Sequence, residues 1–400
     1  MQNVVVVGAG QAGLSLVAKL RALGHDGAIT LVGAESVPPY QRPPLSKAYL
    51  LGEMALERLF LRPESFYADH DVTLRLGAPV LRIDRDAKAV QLADGDLGYD
   101  ALVLTTGATP RRLADAIGGG LPGVHVVRDL PDVDAMAPAF LPGRHVVIVG
   151  GGYIGLEAAA VAAKKGLQVT VLEMAPRILN RVAAPETSDA IRALHQRHGV
   201  TIREGAALAQ VEGTEQVEGV TLTDGTRLAA DFVIAGIGVM PATDLAQAAG
   251  LELENGIRTD AQGRTSDPYI WAAGDCASFP WKGGRVRLES VQNAIDQAEL
   301  VAENLMGAGK RYAPVPWFWS DQYDLKLQIA GLNAGYDRVV VRAGPPRSHW
   351  YFAGAELLAV DALGDPRAYM VGKRLIEAGR SPDPAALADP STDLKTLLRA

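Results

Sequence analysis

Two glycine turns, each entered from an apolar run and left through an apolar-periodic segment, constrain this chain more than any other feature. The first is Gly8-Ala9-Gly10-Gln11-Ala12-Gly13, preceded by the valines Val4 to Val7 and followed by a segment from Leu14 to Leu23 that Gly24 closes. The second is Gly150-Gly151-Gly152-Tyr153-Ile154-Gly155, preceded by Val147 to Val149. Both have G-x-G-x-x-G spacing. The first glycine of such a turn permits a tight bend, the second lets backbone approach a pyrophosphate, and the third lets helix and strand pack closely. The valine runs read as strands buried on both faces of a parallel sheet. Each loop is followed by a second strand and an acid. Glu35 lies 22 residues after Gly13, beyond Ile29 to Val32, and Glu173 lies 18 residues after Gly155, beyond Val169 to Leu172. An acid there accepts hydrogen bonds from a ribose, and Ala34 beside Glu35 offers a backbone contact. The pattern predicts an α/β chain with two Rossmann-like dinucleotide-binding domains, able to bring two dinucleotides together.

Composition narrows the chemistry. A length of 400 residues suits two to three domains, and the 43 glycines are not periodic, which excludes collagen-like and low-complexity readings. A net charge of −7 argues against nucleic-acid binding as a bulk property. Cys276 is the only cysteine, so an internal disulfide, a dithiol relay, a cysteine-ligated iron–sulfur cluster and a zinc–cysteine site are all excluded. No metal site is expected. No run approaches eighteen apolar residues. The expectation is a cytoplasmic protein that neither spans nor binds a membrane, as a monomer or weak dimer.

Further motifs are weaker alone. Tyr40-Gln41-Arg42-Pro43-Pro44-Leu45-Ser46-Lys47 has two prolines that fix an extended path, with Ser46 placed to cap a helix starting at Lys47. Val72 to Ile83 and Ala89 to Leu92 read as strands. Ala101 to Leu104 is another buried strand, leading into Thr105-Thr106-Gly107. Val233 to Gly238 is a strand running into Gly236-Ile237-Gly238. Ala272-Ala273-Gly274-Asp275 places an aspartate behind a glycine turn, and Glu289 to Ala294 opens a helix. From Pro314 onward the composition shifts toward aromatics and alternating strands, which predicts a separate α+β domain.

The two glycine loops and the Arg42-Pro-Pro-Leu-Ser-Lys47 stretch together resemble the FAD-dependent ferredoxin reductases of oxygenase and cytochrome P450 systems. The resemblance covers nearly the whole chain. It implies an FAD-binding domain in residues 1–110 and 241–313, an NAD-binding domain in 111–240 and a C-terminal domain in 314–400. It implies FAD contacts from Gly8, Gly10, Ala12, Gly13, Ala34, Glu35, Arg42, Lys47, Val80, Thr106, Gly107, Arg128, Gly274, Asp275, Val291 and Trp319. It implies NAD contacts from Gly150, Gly152, Tyr153, Ile154, Gly155, Glu173, Arg181, Gly236, Ile237 and Gly238. Lys47 would lie beside the flavin N5, and Glu157 would reach across the domain boundary toward it, making these two the catalytic pair. Glu173 would repel a 2′-phosphate and favour NADH over NADPH, although Arg177 and Arg181 nearby weaken that preference. Without a thiol relay, electrons would leave singly to a [2Fe–2S] ferredoxin, with rubredoxin as the second choice. Lys282, Arg285 and Arg287 are a candidate docking patch for an acidic ferredoxin. An NADH-responsive interaction flavoprotein of the apoptosis-inducing-factor type shares the layout and stays open.

Overall fold

The structure, a computed structural model, describes residues 2–399. It divides into two compact units. The first gathers the chain up to Gln41, Leu56–Thr109 and Val239–Pro314. The second gathers Arg42–Ala55, Pro110–Gly238 and the chain from Val315 on.

The first unit is built on a five-stranded parallel sheet, ordered Ile270–Ala272, Ala101–Leu104, Asn3–Val7, Ala28–Val32, Val72–Arg75. The valine run Val4 to Val7 lies at its centre and is buried on both faces, Val4 and Val6 in a core shared with helices, Val5 and Val7 in a second core. The Gln11–Ala22 and Val291–Leu305 helices pack against it through Leu16, Val17, Leu20, Ala298 and Val301. A three-stranded antiparallel sheet of Arg82–Asp84, Ala89–Leu92 and Gly95–Gly98 completes the unit's second core. The continuous strand expected over Val72 to Ile83 is interrupted. It stops at Arg75, because Gly77 takes a φ of +60° and Pro79 follows.

The second unit repeats the arrangement, ordered Thr201–Glu204, Gln168–Glu173, His145–Val149, Phe232–Ala235, Val124–His125, all parallel. In both sheets the strand that precedes the glycine loop is central, and the chain reverses direction of winding beside it. Ligands of open α/β sheets bind at that switch point. The same unit carries a five-stranded antiparallel sheet of Trp317–Gln322, Leu325–Gly331, Glu356–Leu363, Arg347–Ala353 and Arg338–Arg342. The amphipathic Pro366–Glu377 helix covers one face through Ala368, Tyr369, Val371 and Leu375.

The Arg42–Ala55 stretch is grouped with the second unit although its sequence neighbours belong to the first. Its side chains explain why. Arg42 donates to the Arg128 carbonyl at 2.8 Å, Tyr49 to Asp134 at 2.8 Å, and Glu53 pairs with Lys164 at 2.9 Å. Pro43–Ser46 is a 3₁₀ turn and Ala48–Leu51 a single helical turn. Ser46 makes no cap there, because its hydroxyl is committed elsewhere.

Candidate active site

The two glycine loops match atom for atom in what they require. Gly8 has a φ of +116°, and a Cβ on it would lie 2.2 Å from the Thr105 carbonyl oxygen. Gly150 has a φ of +112°, and its Cβ would lie 2.3 Å from the Gly236 carbonyl oxygen. Only glycine tolerates both that dihedral and that approach. Gly13 and Gly155 would drive a Cβ into the carbonyl oxygens of Gly8 and Gly150, at 2.1 and 2.2 Å. Gly10 and Gly152 differ: nothing lies within 4 Å of a Cβ on either. The fold itself demands the outer glycines, and the middle ones face open space. The Gln11–Ala22 and Tyr153–Lys164 helices begin directly after Gly10 and Gly152, with no side-chain cap and no acid in the first turn. Free N–H groups and the positive end of the helix dipole therefore point into that space, which suits a pyrophosphate. By contrast, Ser290 caps the Val291–Leu305 helix by accepting from the Asn293 N–H at 3.1 Å. The two cradles fit dinucleotides.

The residues expected at the flavin divide between the units. In the first unit, Gly274 packs onto the first loop, with its Cβ position 3.1 Å from the Ala12 methyl, and its N–H donates to Gln297 at 2.9 Å. Glu35 accepts from the Tyr40 hydroxyl at 2.6 Å, close to Ala34. Thr106 donates to the Ala242 carbonyl at 2.7 Å, and Gly107 accepts from the Ala242 N–H at 2.9 Å, so this turn is held by the returning chain. Val80 packs against the core that contains Val32 and Tyr99, and Asp275 accepts Arg287 on its backbone carbonyl at 3.0 Å. Val291 opens its helix. Arg42, Lys47, Arg128 and Trp319 lie in the second unit.

The second unit holds both members of the expected Lys47–Glu157 pair. Glu157, 3% exposed, sits on the Tyr153–Lys164 helix and takes three donors. Lys47 Nζ lies 2.9 Å from its Oε2, Ser46 Oγ donates to the same oxygen at 2.7 Å, and Ser320 Oγ donates to Oε1 at 2.7 Å. A buried carboxylate is tolerated only when paired and hydrogen-bonded, and this one is fully served. The pair lies inside one unit rather than across the boundary, because Arg42–Ala55 belongs to that unit. Sequence reasoning missed Ser46 as a partner and missed Ser320 altogether. The usable signal was a serine beside Trp319, in a strand whose alternate residues face one side.

Around the second loop, Tyr153 is half-buried, with its hydroxyl buried, and packs on Phe318 with ring centroids 4.9 Å apart, while Ile154 is 44% exposed. Burial, with Asp361, Tyr351 and Glu157 nearby, raises the Tyr153 phenol well above its ordinary value. Glu173 accepts the Gly151 and Ala175 N–H groups at 2.8 and 2.7 Å. Arg177 is occupied, donating to Ser188 at 2.6 Å, whereas the Arg181 guanidinium lies 3.6 Å from the Cβ position of Gly238, beside Ile237. Cys276 is fully buried between the carbonyls of Leu104 and Ala273, each 3.5 Å from its sulfur. Burial raises its thiol pKa, so it has no thiolate character.

The docking patch requires correction. Arg285 donates to the carbonyls of Thr259 and Ser278 and pairs with Glu254, while Arg287 is tied to Asp275 and Glu289 and only 9% of its side chain is exposed. Both arginines staple the first unit together. Among the described residues no helix is long and apolar enough to cross a membrane.

Two glycine-cradled nucleotide sites and a lysine–carboxylate pair without a reactive thiol define a two-nucleotide reductase. The chain belongs to the pyridine nucleotide-disulphide oxidoreductase family, whose model matches residues 2–298, and a reductase C-terminal model matches residues 317–398. Rhodocoxin reductase of Rhodococcus erythropolis is 44% identical over 98% of this chain and 93% of its own length. The reductase in a crystal structure of the covalent putidaredoxin reductase–putidaredoxin complex superposes with a TM-score of 0.96 at 43% identity, covering 100% of this chain and 98% of that one. A rubredoxin-NAD(+) reductase of Pseudomonas putida is 41% identical over 84% of this chain and 89% of its own length.

Proposed function

We propose that this protein is a cytoplasmic flavoprotein reductase that takes electrons from NADH through FAD to a [2Fe–2S] ferredoxin serving a cytochrome P450 or dioxygenase. The observation that carries this reading is Glu157: buried, triply hydrogen-bonded and paired with Lys47 at 2.9 Å, in a chain whose only cysteine is sealed away. Bound FAD would supply the conversion of a two-electron donation into single-electron delivery. The protein supplies position and charge. The first loop, Gly8 to Gly13, with Glu35, Gly274, Asp275 and the Val291 helix, would hold the FAD. The second loop, Gly150 to Gly155, with Glu173, Arg181 and the Gly236-Ile237-Gly238 turn, would hold NADH. Glu157 fixes the Lys47 ammonium in one orientation, which costs no reorganisation when negative charge develops near it. Glu173 is an acceptor with no phosphate-binding role, and Arg177 is engaged with Ser188, which favours NADH over NADPH.

Ferredoxin is favoured over rubredoxin because relatives named as ferredoxin reductases align over nearly the full chain, whereas the rubredoxin-NAD(+) reductase aligns over 84% of it. The test is anaerobic reduction of the purified protein with NADH, followed by titration with ferredoxins and rubredoxins from the same source. Rapid bleaching of the flavin and reoxidation by ferredoxin is the expected result. Slow bleaching with a persistent long-wavelength band would favour an interaction protein instead.

A further inference from the structure

The Glu157 carboxylate is also the end of a longer structure. In the Trp317–Gln322 strand, side chains alternate between faces. Phe318, Ser320 and Gln322 share the face that meets the Tyr153–Lys164 and Pro185–Arg197 helices: Phe318 packs on Tyr153, Ser320 on Glu157 and Gln322 on His195. Ser320, Gln322, His195 and Glu157 are all at least 97% buried. The links are continuous. Ser320 Oγ lies 2.7 Å from Glu157, Gln322 Nε2 lies 3.1 Å from Ser320 Oγ, and His195 Nε2 lies 2.8 Å from Gln322 Oε1. The Tyr323 hydroxyl lies 3.1 Å from His195 Nδ1.

The carboxylate end fixes the polarity of every link. Glu157 accepts only, so the Ser320 hydroxyl must donate to it. Ser320 then accepts, so the Gln322 amide nitrogen must face it; the flipped amide would oppose two acceptors. Gln322 Oε1 therefore needs a donor, which places the His195 proton on Nε2 and leaves Nδ1 to accept from Tyr323. Burial lowers the imidazole to a pKa of about 4, so it is neutral as this tautomer requires. Tyr323 pays for its place in backbone conformation, with a φ of +57° in a two-residue hairpin turn, and its ring stacks on exposed His198 at 3.7 Å.

We propose that Ser320, Gln322 and His195 are positioning residues, a one-way chain of donors that orients Glu157 and through it Lys47, so that the C-terminal sheet sets the geometry of the nicotinamide-side pair. This rests on the reductase reading for its consequence and on the hydrogen-bond geometry alone for its existence. The charged and titratable groups facing Glu157 are Lys47 and Tyr153, with Asp361 beyond Tyr153.

Two variants test it in the FAD-loaded protein. Ser320→Ala removes the last link. Gln322→Glu is nearly isosteric but replaces the amide donor by a carboxylate, so the Ser320 proton is shared between two acceptors. A looser Glu157 exposes the Lys47 amine. Both variants should raise acetylation of Lys47 at pH 8, read by mass spectrometry of its peptide, about fivefold, the equivalent of one net hydrogen bond of about 1 kcal/mol. Both should lower the limiting rate of NADH-driven flavin bleaching by about the same factor with little change in the NADH concentration at half-maximal rate. A lower melting temperature with wild-type Lys47 labelling and wild-type limiting rate in both variants would overturn the proposal. The labelling needs neither NADH nor ferredoxin. It therefore reads the chain even if the wild-type flavin is not bleached by NADH, a result that would sink only the reductase reading.

Discussion

At the scale of single residues, an outer and a middle glycine of the second loop separate folding from binding. Gly150→Ala forces a Cβ to within 2.3 Å of a carbonyl at a left-handed φ. Backbone strain of this kind costs about 1–3 kcal/mol before the clash is counted. Gly152→Ala meets nothing within 4 Å, and its φ of −82° is one that alanine adopts freely. The expected outcome is a lower melting temperature for Gly150→Ala. For Gly152→Ala the melting temperature is unchanged but the NADH concentration needed for half-maximal flavin bleaching rises. Thermal denaturation and steady-state kinetics on the two variants check both. Equal stability losses would mean that the space over Gly152 is not a ligand space.

At the scale of elements, buried polar side chains tie the C-terminal sheet to the Pro185–Arg197 helix. His195 meets Gln322, and Thr187 bridges His349 and Asp361 at 2.7 Å each, with the Tyr351 hydroxyl donating to the same aspartate. Burial lowers His195 and His349 to about 4, against an ordinary 6.5. Between these values the unfolded chain binds protons that the native chain refuses, so the histidines lower stability as pH falls from 6.5 toward 4. Burial raises Asp361 to about 6, so over part of that window the native chain keeps a proton that the unfolded chain has lost, which offsets one histidine. Replacing His195 by glutamine should therefore flatten the slope of stability against pH between 4 and 6 by about one proton, measured by urea denaturation at several pH values. An unaltered slope would mean that His195 titrates normally in the native protein.

These elements also show what the sequence discloses. Both glycine loops, their flanking strands and their terminal acids could be read directly, because local backbone geometry dictates glycine and buried parallel strands dictate valine. Lys47 and Glu157 could be named only through a family resemblance. Strand alternation could place Ser320 on one face, but the partners of Ser46, Ser320, Gln322 and His195 could not be found, since those contacts join segments more than a hundred residues apart. Ser46 had a plausible local use as a helix cap, which hid its real partner. Arg285 and Arg287 misled for the reverse reason: charged residues in a short loop read as solvated until their carbonyl partners are known.

At the scale of the whole molecule, the acidic net charge and the internal use of Arg285 and Arg287 leave charge steering to other basic groups. Long-range attraction to an acidic ferredoxin would still be screened by salt. Raising ionic strength from 0.05 to about 0.5 M should depress ferredoxin-dependent turnover and spare ferricyanide reduction. Equal salt dependence of the two acceptors would remove electrostatic docking from the account. The chain path has a consequence of another kind. It changes unit after Gln41, Ala55, Thr109, Gly238 and Pro314. A ribosome delivers residues in order, so the sheet that begins with Asn3–Val7 waits for its edge strand at Ile270–Ala272, and Glu157 waits for Ser320. Neither unit can be closed by an early piece of the nascent chain, and no single protease cut releases either one whole. The first unit is complete once Pro314 is made, the second only when the C-terminal sheet follows.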